Sequence, residues 1–560
     1  MLRSLVPALA LLLSLTVQAA PAPGQQAVAS AHPIATEAGH RIMDQGGNAF
    51  DAAIAVAATL AVVEPYGSGI GGGGFFLLRQ AGEDKPQYRF IDARETAPLA
   101  AHRDMFLDEQ DKLKRVINGP LAAGIPGTPA ALAHLAGHYG RLPLAQSLAP
   151  AIAAAEEGFA VGESYRTLVG FRLDAMQQDA ETARIFLRDN QAPAAGDLVR
   201  QPELAETLRR MAEHGHAGFY SGPLAERLVG GVKAAGGIWE QADLDSYRVI
   251  ERDPVRFSSR GFDVITSPLP SAGGIALAGI LQGMDQLPEA AHGSVQWTHQ
   301  LVELMRRTYR DRAVLLGDSD FVEVPKERLL SVDHARRLAA GVDPQRATPS
   351  LELGPAIPFH EGTNTTHFSL IDREGNAVAA TLSVNLPFGA AFTVPGTGVL
   401  LNNEMGDFAA DPDGRNSYGL EGSEANAIAP GKRPLSSMTP TMLENEDQLA
   451  VLGTPGGSRI ISMVLLGTLE AMAGRPVEEW VSRPRFHHQY LPDHIQIEDA
   501  AFSAEQRRAL EKLGHTIKPV GRDYGDMQVL QWDKRRAEVS AASDPRGEGE
   551  ATARQPVRRD

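Results

Sequence analysis

The first hydrophobic pattern along the chain is helical and is interrupted once. Apolar residues recur at helical spacing over residues 34–63, and two glycines at 46–47 break the pattern. Asn48 follows the break and is a residue type that favours the start of a helix. The uninterrupted apolar run 52–63 is shorter than the roughly 20 residues that a membrane-spanning helix needs, so we predict a buried helix there.

A glycine-rich segment follows this helix. Gly67, Gly69 and Gly72 match the pattern G-x-G-x-x-G. A dinucleotide site needs a strand before the glycines and a helix after them, whereas here a helix precedes them and the apolar strand pattern 75–78 follows. We therefore reject a nucleotide cofactor and expect backbone that turns sharply or packs closely.

Alternation of apolar and polar residues is clearest around residue 370 and predicts a β-hairpin. The strand patterns 366–371 and 377–383 flank a short group of turn-forming residues. One register places Thr365 opposite Ser383, and a register shifted by one residue places it opposite Leu382. In both registers the two hydroxyl groups lie within one residue of each other across the ladder.

The remaining segments show helical patterns, a linker pattern and a polar tail. Residues 130–286 are rich in Ala and Leu with charged faces, and a further helix is predicted over 297–316. The proline-rich segment 347–361 predicts an exposed linker. Residues 544–560 have few apolar side chains and predict a poorly ordered tail. Helices combined with a hairpin indicate a mixed α/β protein.

Composition narrows the possible functions. The chain has 560 residues, 43% of them apolar and 22% charged, which is typical of a globular protein with room for two to four domains or one composite domain. The net charge of −16 argues against a nucleic-acid partner, and an anionic substrate would need local cations. No cysteine is present, which excludes thiolate chemistry and disulfides.

Two adjacent histidines, His487 and His488, are the obvious candidates for a metal site. Adjacent side chains on a strand point to opposite faces, and no carboxylate cluster completes a ligand set. We therefore expect no metal.

The N-terminus has the features of a secretory signal. A short positive start at residues 1–3 is followed by the apolar run 5–17 and by small residues just before Pro21. Because the run is too short to cross a bilayer, we predict a cleaved signal peptide over residues 1–20 and no membrane span. The mature protein is then expected to be periplasmic or secreted.

Three short segments together have the makings of a nucleophilic active site. The predicted linker runs directly into a buried strand at 363–367, a pair of serines stands at 436–437, and paired glycines at 456–457 precede the apolar helix pattern 460–472. Glycines at a helix start present unencumbered N–H groups, which suit an oxyanion hole. No G-x-S-x-G elbow supports a serine hydrolase instead. Each segment alone has an ordinary structural explanation, but their combination in this order is specific.

This combination resembles the γ-glutamyltranspeptidase family, also called glutathione hydrolases, within the N-terminal-nucleophile hydrolases. The resemblance covers nearly the whole mature chain. Further segments that match the family pattern in order are 35–36, 46–53, 71–75, 92–98, 123–127, 270–274, 311–312 with 317–318, 401–405, 484–488 and 543–546.

The resemblance implies a fold and a maturation step. The fold is a four-layer αββα sandwich, in which two stacked antiparallel sheets are flanked by helices. Self-cleavage of the bond between Asn364 and Thr365 divides an inactive precursor into a large subunit, 21–364, and a small subunit, 365–560, which form a heterodimer. The freed α-amine of Thr365, with a pKa near ~8, would act as the base for its own hydroxyl. No cofactor and no metal are implied.

The resemblance also assigns catalytic roles. Thr365 is the nucleophile, and Ser383 stands where the family usually has a second threonine, from which its hydroxyl could hold the Thr365 oxygen or amine. The backbone N–H groups of Gly456 and Gly457 would stabilise the tetrahedral oxyanion.

For the substrate, the resemblance assigns Arg94 to the α-carboxylate as a bidentate partner. Ser436 and Ser437 assist Arg94. Asp407 and Glu404 take the α-ammonium, with Asn385 beside them.

A loop near these acidic residues is the last feature that the resemblance implies. Residues 409–418 look like the family's lid, with Tyr418 at its closing position. Gly406 departs from the acidic residue often found before the aspartate, which puts the strength of ammonium binding in doubt.

The function that the resemblance implies is γ-glutamyl transfer and hydrolysis. The substrates would be glutathione and related γ-glutamyl amides, with water, amino acids or dipeptides as acceptors. A β-lactam side-chain acylase of the same superfamily is an alternative, and an uncleaved binding homologue is another. Arg94 and the serine pair favour the amino-acid substrate, and the intact 364–365 junction argues against a binding protein.

Overall fold

The computed structural model describes residues 22–82, 85–106, 117–354, 364–409 and 423–555. Its strands are β1 (Gln26–Ser30), β2 (Gly73–Gln80), β3 (Gln87–Ala93), β4 (Phe159–Ala160), β5 (Leu198–Val199), β6 (Ile250–Arg252), β7 (Val255–Ser259), β8 (Phe262–Thr266), β9 (Thr366–Ile371), β10 (Ala377–Ser383), β11 (Thr393–Val394), β12 (Val399–Leu400), β13 (Thr441–Glu444), β14 (Gln448–Gly453), β15 (Phe486–His487), β16 (Ile495–Ile497), β17 (Ile517–Pro519), β18 (Gln528–Asp533), β19 (Glu538–Ser543) and β20 (Glu550–Arg554).

The helices lie mostly in the first two thirds of the chain. They are α1 (Pro33–Asp44), α2 (Ala49–Val63), α3 (Thr128–His138), α4 (Leu144–Glu157), α5 (Glu163–Gln178), α6 (Ala180–Phe186), α7 (Pro202–His214), α8 (Ala217–Tyr220), α9 (Gly222–Ala234), α10 (Gln241–Ser246), α11 (Gly273–Met284), α12 (Val295–Leu315), α13 (Lys326–Leu329), α14 (Val332–Ala340), α15 (Arg459–Met472), α16 (Val477–Ser482) and α17 (Ala504–Lys512). Short 3₁₀ helices occupy Pro120–Ala122, Ser350–Glu352, Glu404–Asp407, Glu424–Asn426 and Asp499–Ala501.

Two antiparallel sheets form the centre of the molecule. The first has seven strands in the order β20-β1-β9-β10-β2-β3-β6, and the second has six in the order β19-β18-β14-β13-β8-β7. Along β2, alternate side chains divide between two cores: Phe76 and Leu78 pack with helix α2, whereas Phe75 and Leu77 pack toward the second sheet. Helices α11, α12 and α15 contribute to the core of the second sheet. The predicted arrangement of stacked antiparallel sheets between helices is confirmed.

The N-terminal helical pattern is divided where the sequence predicts. Helix α1 ends before the two glycines, and Asn48 caps α2 by accepting hydrogen bonds from the N–H groups of Phe50 and Asp51 at 2.9 and 3.1 Å. Every residue of α2 is buried. The uniformly apolar run is therefore a core helix, as predicted.

The glycine segment connects α2 to β2 in the predicted order of helix, glycines and strand. A Cβ atom on Gly72 would lie 2.1 Å from the carbonyl oxygen of Ser383, and one on Gly71 would lie 2.1 Å from that of Leu400. These positions accept no side chain because neighbouring backbone occupies the space. The segment thus packs directly behind the end of β10.

Strands β9 and β10 form the predicted hairpin. Leu382 pairs with Thr366, and the N–H of Asp372 donates to the carbonyl of Asn376 at 2.9 Å. This is the first of the two registers considered, and it sets Ser383 across from the residue that precedes β9. The neighbours of the hairpin in the sheet, β1 and β2, come from the N-terminal part of the chain.

The prediction of a poorly ordered tail over residues 544–560 is wrong for its described part. Strand β20 pairs antiparallel with β1, from Gln26 opposite Arg554 to Ser30 opposite Glu550. Residues 556–560 lie outside the described residues. Few apolar side chains are needed because the edge of β1 supplies backbone partners, a contribution that composition does not reveal.

The linker prediction over residues 347–361 is likewise wrong at its start. Ser350 is fully buried, its N–H donates to Asp493 at 2.7 Å, and the hydroxyl of Thr348 donates to Glu303 at 2.7 Å. Residues 355–363 are outside the described part of the chain.

None of the helices in the described ranges combines the length and the apolar character that crossing a bilayer requires. The predicted signal peptide, residues 1–20, lies outside those ranges.

Candidate active site

One small cavity gathers most of the residues that the resemblance singled out. The empty space between its lining residues is about 240 Å³ and is open to solvent. Its lining consists of Arg94, Thr365, Ser383, Asn385, Glu404, Asp407, Ser436, Ser437, Met438, Gly457 and Ile460. Met438 and Ile460 are the two lining residues that the sequence did not predict.

The two hydroxyl residues meet at the end of the hairpin. Thr365 is buried immediately before β9, and the hydroxyl of Ser383 donates to the carbonyl oxygen of Asn364 at 3.2 Å. The Ser383 oxygen in turn accepts from the N–H of Asn385 at 2.7 Å. The hydroxyl was expected to hold the oxygen or amine of Thr365, but here it contacts the carbonyl of the bond that precedes Thr365. Such a donor polarises that carbonyl toward attack.

Asn385 follows β10 in a left-handed conformation, with φ of 78°. Its side-chain amide donates to the carbonyl of Asn403 at 2.9 Å, and its own carbonyl accepts from the N–H of Asn364 at 3.1 Å. The residue therefore links the 364–365 junction to the segment that carries Glu404.

The side chain of Asn364 is anchored on the segment that follows α2. Its amide donates to the carbonyl of Tyr66 at 2.5 Å. Nearby, burial raises the pKa of Glu64 to about 8, and the Thr366 hydroxyl beside the carboxyl group partly offsets this. The junction is thus also held by the segment that follows α2.

His367 lies close to the junction in sequence but is buried behind it. Its two ring nitrogens lie 2.8 Å from the hydroxyl of Thr381 and 3.2 Å from that of Ser369. Burial lowers the pKa of His367 to about 3, so the ring is neutral at physiological pH. The ring also packs on Gly453, where a Cβ atom would lie 2.2 Å from it.

The paired glycines form a turn directly before helix α15. Gly456 and Gly457 have φ angles of 139° and 60°, and Gly457 lines the cavity. Within the described residues, no backbone carbonyl accepts a hydrogen bond from either N–H group. The hydroxyl of Tyr309 donates to the carbonyl of Ser458 at 2.5 Å and fixes the end of the turn.

Arg94 lies at the other end of the cavity and contacts several carboxyl groups. Nη1 lies 2.7 Å from Glu404 and Nη2 lies 2.5 Å from Asp407. A third carboxyl group, that of Glu95, lies 3.4 Å away, and Nε donates to the carbonyl of Pro434 at 3.2 Å. The guanidinium and the acidic residues expected to bind opposite ends of a substrate therefore contact each other directly.

These carboxyl groups compete for one cation in a buried environment. Burial raises the pKa of Glu404, and the neighbouring carboxyl groups of Glu95 and Asp407 raise it further, whereas Arg94 opposes the shift. Burial likewise raises the pKa of Glu95 to about 7. The cluster therefore holds protons more tightly than separate carboxylates in water do.

The backbone of Arg94 is held by three hydrogen bonds at the end of β3. Its N–H donates to the side chain of Asp92 at 2.9 Å. Its carbonyl accepts from the hydroxyl of Tyr247 at 2.8 Å and from the guanidinium of Arg433 at 2.7 Å. The position of the side chain in the cavity is thus set by buried polar contacts.

The two serines occupy a turn that packs against residues 270–272. The N–H of Ser436 donates to the carbonyl of Pro270 at 2.9 Å, and its carbonyl accepts from the N–H of Ala272 at 2.8 Å. The oxygen of Ser437 accepts from Nη2 of Arg312 at 3.1 Å. Arg312 was singled out only as part of a sequence motif, so its contact with the site is a finding of the structure.

Asn426 is a second residue that sequence reasoning missed. Its side-chain amide donates to the carbonyl of Asp407 at 2.7 Å, and its side-chain oxygen accepts from the N–H of Leu435 at 3.0 Å. Its backbone carbonyl accepts from the N–H of Ala409 at 2.9 Å. Asn426 thereby joins the acidic segment to the serine turn, and nothing in the local sequence signals this.

Two further predictions concern the lid and a metal. Tyr418 and most of the predicted lid, 409–418, fall within residues 410–422, which are not described.

In the described ranges, no group of three or more His, Cys, Asp or Glu side chains could hold a metal ion. His487 contacts the hydroxyl of Ser462 at 2.8 Å, and His488 lies 3.3 Å from Asp493.

Comparison with solved structures places the fold among known hydrolases. A cephalosporin acylase from Bacillus halodurans matches with a TM-score of 0.83 at 27% identity, over 96% of both chains. A γ-glutamyltranspeptidase chain from Helicobacter pylori matches with a TM-score of 0.56 at 36% identity, over 61% of this chain and 96% of that one.

Comparison of sequences identifies the family more specifically than comparison of folds does. A glutathione hydrolase proenzyme of Pseudomonas sp. strain A14 is 42% identical, over 87% of this chain and 85% of the relative. The glutathione hydrolase proenzyme of Escherichia coli K12 is 37% identical, over 94% and 92%. The family model described as gamma-glutamyltranspeptidase matches residues 35–554. The chain belongs to the γ-glutamyltranspeptidase family.

Proposed function

We propose that the protein is a self-processing γ-glutamyl transferase and hydrolase that acts on glutathione and related γ-glutamyl amides. The observation that supports the proposal is a single cavity that is lined by Thr365, Arg94 and Asp407. It combines a hydroxyl at a cleavable junction with both charges needed to hold an amino-acid head group.

Maturation begins with attack by the hydroxyl oxygen of Thr365 on the carbonyl carbon of Asn364. The hydroxyl of Ser383, 3.2 Å from the carbonyl oxygen, stabilises the charge that develops there. The C–N bond breaks as an ester bond forms, and the nitrogen takes up the proton that the hydroxyl loses and becomes the α-amine of Thr365. Water then hydrolyses the ester and releases the carboxyl group of Asn364. The subunits 21–364 and 365–560 stay associated because β1 lies between β9 and β20.

Turnover uses the same hydroxyl. The α-amine of Thr365 takes its proton, and the oxygen attacks the γ-carbonyl of the substrate. The N–H groups of Gly456 and Gly457 face the developing oxyanion, and the leaving amine departs with a proton. The γ-glutamyl ester on Thr365 is then transferred to water, an amino acid or a dipeptide. In the uncut chain the nitrogen is a non-basic amide, so catalysis depends on cleavage.

Recognition of the γ-glutamyl group uses the charged end of the cavity. Arg94 pairs with the α-carboxylate, assisted by Ser436 and Ser437. Asp407 and Glu404 take the α-ammonium beside Asn385, while Tyr418 belongs to the proposed lid. No cofactor or metal takes part in this scheme.

Maturation and export are also part of the proposal. The relatives named proenzymes support processing into two subunits. The 61% of this chain that the Helicobacter pylori chain covers is about 340 residues, similar in length to the proposed large subunit, 21–364. Removal of a signal peptide, residues 1–20, would deliver the protein to the periplasm or the medium.

A β-lactam side-chain acylase is the second candidate, and the TM-score of 0.83 with a cephalosporin acylase favours it. Shared folds host different reactions, however, so the site carries more weight than the fold. Arg94 and Asp407 match an amino-acid head group, and sequence identity to the glutathione hydrolases, 37–42%, exceeds the 27% to the acylase. An uncleaved binding homologue is the third candidate.

Assays of the purified protein distinguish the three candidate functions. We expect two fragments on a denaturing gel and release of aniline from a γ-glutamyl anilide, with a faster rate when a dipeptide acceptor is added. Release of a β-lactam side chain without γ-glutamyl turnover would support the acylase. A single band without activity would support the binding protein.

A further inference from the structure

We propose that Asn426 is a positioning residue that holds Asp407 in place to receive the α-ammonium group of the substrate. This inference rests on the proposed function, because it concerns the binding of the γ-glutamyl head group. The observations that carry it are the two hydrogen bonds of the Asn426 side chain, the closed circuit of contacts to which they belong, and the place of Asp407 in the cavity.

The side chain of Asn426 joins two segments of the site. Its Nδ2 donates to the backbone carbonyl of Asp407 at 2.7 Å, and its Oδ1 accepts from the backbone N–H of Leu435 at 3.0 Å. An amide donates through its nitrogen and accepts through its oxygen, so these two backbone partners fix its orientation. Neither a hydrocarbon side chain nor a carboxylate could make both contacts.

These contacts belong to a closed circuit that includes Arg94. Nη2 of Arg94 lies 2.5 Å from Oδ2 of Asp407, and Nε of Arg94 donates to the carbonyl of Pro434 at 3.2 Å. Pro434 is followed directly by Leu435, which donates to Asn426. The circuit therefore runs from Arg94 through Asp407 and Asn426 and back to Arg94. Asn426 is the member that ties the backbone of Asp407 to the segment on which the guanidinium rests.

The backbone of Asp407 needs such a partner. Asp407 ends the short 3₁₀ helix Glu404–Asp407, and the last carbonyls of a helix have no partner within it. In the described part of the chain, no backbone N–H group donates to the Asp407 carbonyl. The preceding residue, Gly406, has more backbone freedom than any other residue type would have there. The amide of Asn426 thus restrains a carbonyl that its own helix leaves unbound.

The restraint matters because the two charges of the head group have a fixed separation. The α-carboxylate and the α-ammonium are attached to the same carbon atom, so the groups that bind them must keep a matching separation. Arg94 and Asp407 both line the cavity with Thr365. A displacement of about 1 Å at a positioning residue can reduce the rate of an enzyme about 10²-fold. Holding Asp407 relative to Arg94 is therefore a requirement for recognition of an α-amino acid.

The test compares Asn426→Ala with Asn426→Asp. The aspartate keeps the shape of the side chain and its acceptor oxygen, but an ionised carboxylate cannot donate to the Asp407 carbonyl. The matched control is Asn445→Ala. Asn445 is a half-buried asparagine whose oxygen accepts from the N–H groups of Asp447 and Gln448 in its own turn, and it does not line the cavity.

Two ligands separate the ammonium site from the rest of the cavity. Turnover of a γ-glutamyl nitroanilide gives KM and kcat for a head group with both charges. Glutaryl anilide keeps the carboxylate and lacks the ammonium, and its inhibition constant against the nitroanilide measures binding without a need for turnover. Denaturing gels report self-cleavage.

For Asn426→Ala we expect a rise of about tenfold in KM for the nitroanilide, with kcat within threefold of the wild type. The inhibition constant of glutaryl anilide should change less than threefold, because this ligand has no group for Asp407 to bind. Asn426→Asp should raise KM at least as much, since it also lacks the donor. Asn445→Ala should match the wild type, and all variants should be cut.

A wild-type KM in either variant of Asn426 would overturn the inference. Equal losses for the nitroanilide and for glutaryl anilide would also overturn it, because they would show a general disturbance of the cavity. If Asn426→Ala fails to fold, the isosteric Asn426→Asp decides. If neither matures while Asn445→Ala does, Asn426 has a structural role and the inference is wrong. A wild-type protein without γ-glutamyl turnover would instead refute the proposed function, so the two failures are distinguishable.

Discussion

The two ends of the cavity are built in different ways. At the reacting end, the hydroxyls of Ser383 and Thr365 lie together at one end of a single hairpin, and the turn at 456–457 adds backbone N–H groups. The recognising end consists of charged side chains from distant segments, and Arg94 and Asp407 are 313 positions apart in the chain. The first depends on strand register, and the second depends on the packing of the whole molecule.

Because the two ends of the cavity are built from different groups, we expect self-cleavage and substrate binding to depend on different residues. The contacts that polarise the Asn364 carbonyl involve the hairpin and its immediate neighbours. The contacts of Arg94 involve a buried ion cluster, and in the described part of the chain Arg94 forms no hydrogen bond with residues 364–365. Substitutions at the reacting end should therefore affect self-cleavage, whereas substitutions at the recognising end should leave it intact and weaken binding.

The largest effect on self-cleavage and activity is expected for Thr365→Ala, which removes the proposed nucleophile from the reacting end of the cavity. One hydroxyl is proposed to attack first Asn364 and later the substrate, so the variant should remain a single inactive chain. A denaturing gel measures self-cleavage, and a γ-glutamyl anilide assay measures activity. Thr366→Ser, one position along the strand, is the control and should be cut. Two fragments from Thr365→Ala at the wild-type rate would refute the assignment.

Ser383→Ala tests a second hydroxyl at the reacting end of the cavity. It removes the donor to the Asn364 carbonyl, and loss of one oxyanion donor typically slows a reaction by about 10²–10³-fold. The half-time of precursor processing, followed on gels after refolding or fresh synthesis, should lengthen by a similar factor. A variant that is processed at the normal rate would show that the 3.2 Å contact has no role in cleavage.

Arg94→Lys tests the recognising end. Lysine keeps the charge but loses the bidentate geometry, at a cost of about 1.5–3 kcal/mol, which corresponds to roughly a tenfold to hundredfold rise in KM. Processing on gels should stay within a few-fold of the wild type. The separation of the two ends would be contradicted by a precursor that fails to mature although it is folded by circular dichroism.

The smallest effect is expected for His367→Asn on the pH profile. Activity should rise with pH as the Thr365 α-amine loses its proton, with an apparent pKa at or below about 8. Burial lowers the pKa of His367 to about 3, so its ionisation lies far below this limb. The profile of kcat/KM should therefore keep its rise in the variant. Loss of the rise in a processed variant would transfer the role of base to the histidine.

Elements that depend on neighbouring residues could be predicted from the sequence. Asn48 marks the start of α2, and alternation together with turn residues located the hairpin, because caps and turns are decided within a few positions. The register of β9 on β10 remained open between two choices until the structure placed Thr366 opposite Leu382. The motif residues were predicted through resemblance, and the cavity brings most of them together.

The tertiary structure alone decided which polar groups meet. Asn426 carries no local signal and Arg312 was noted only as part of a motif, yet they contact Asp407 and Ser437, because their partners lie on segments that only folding brings together. The tail, 544–560, was mispredicted for the same reason: β20 is ordered by backbone pairing with β1, more than 500 residues away. A sequence pattern reports the preference of a segment for water or core, whereas hydrogen-bond and charge partners are chosen by the geometry of the completed fold.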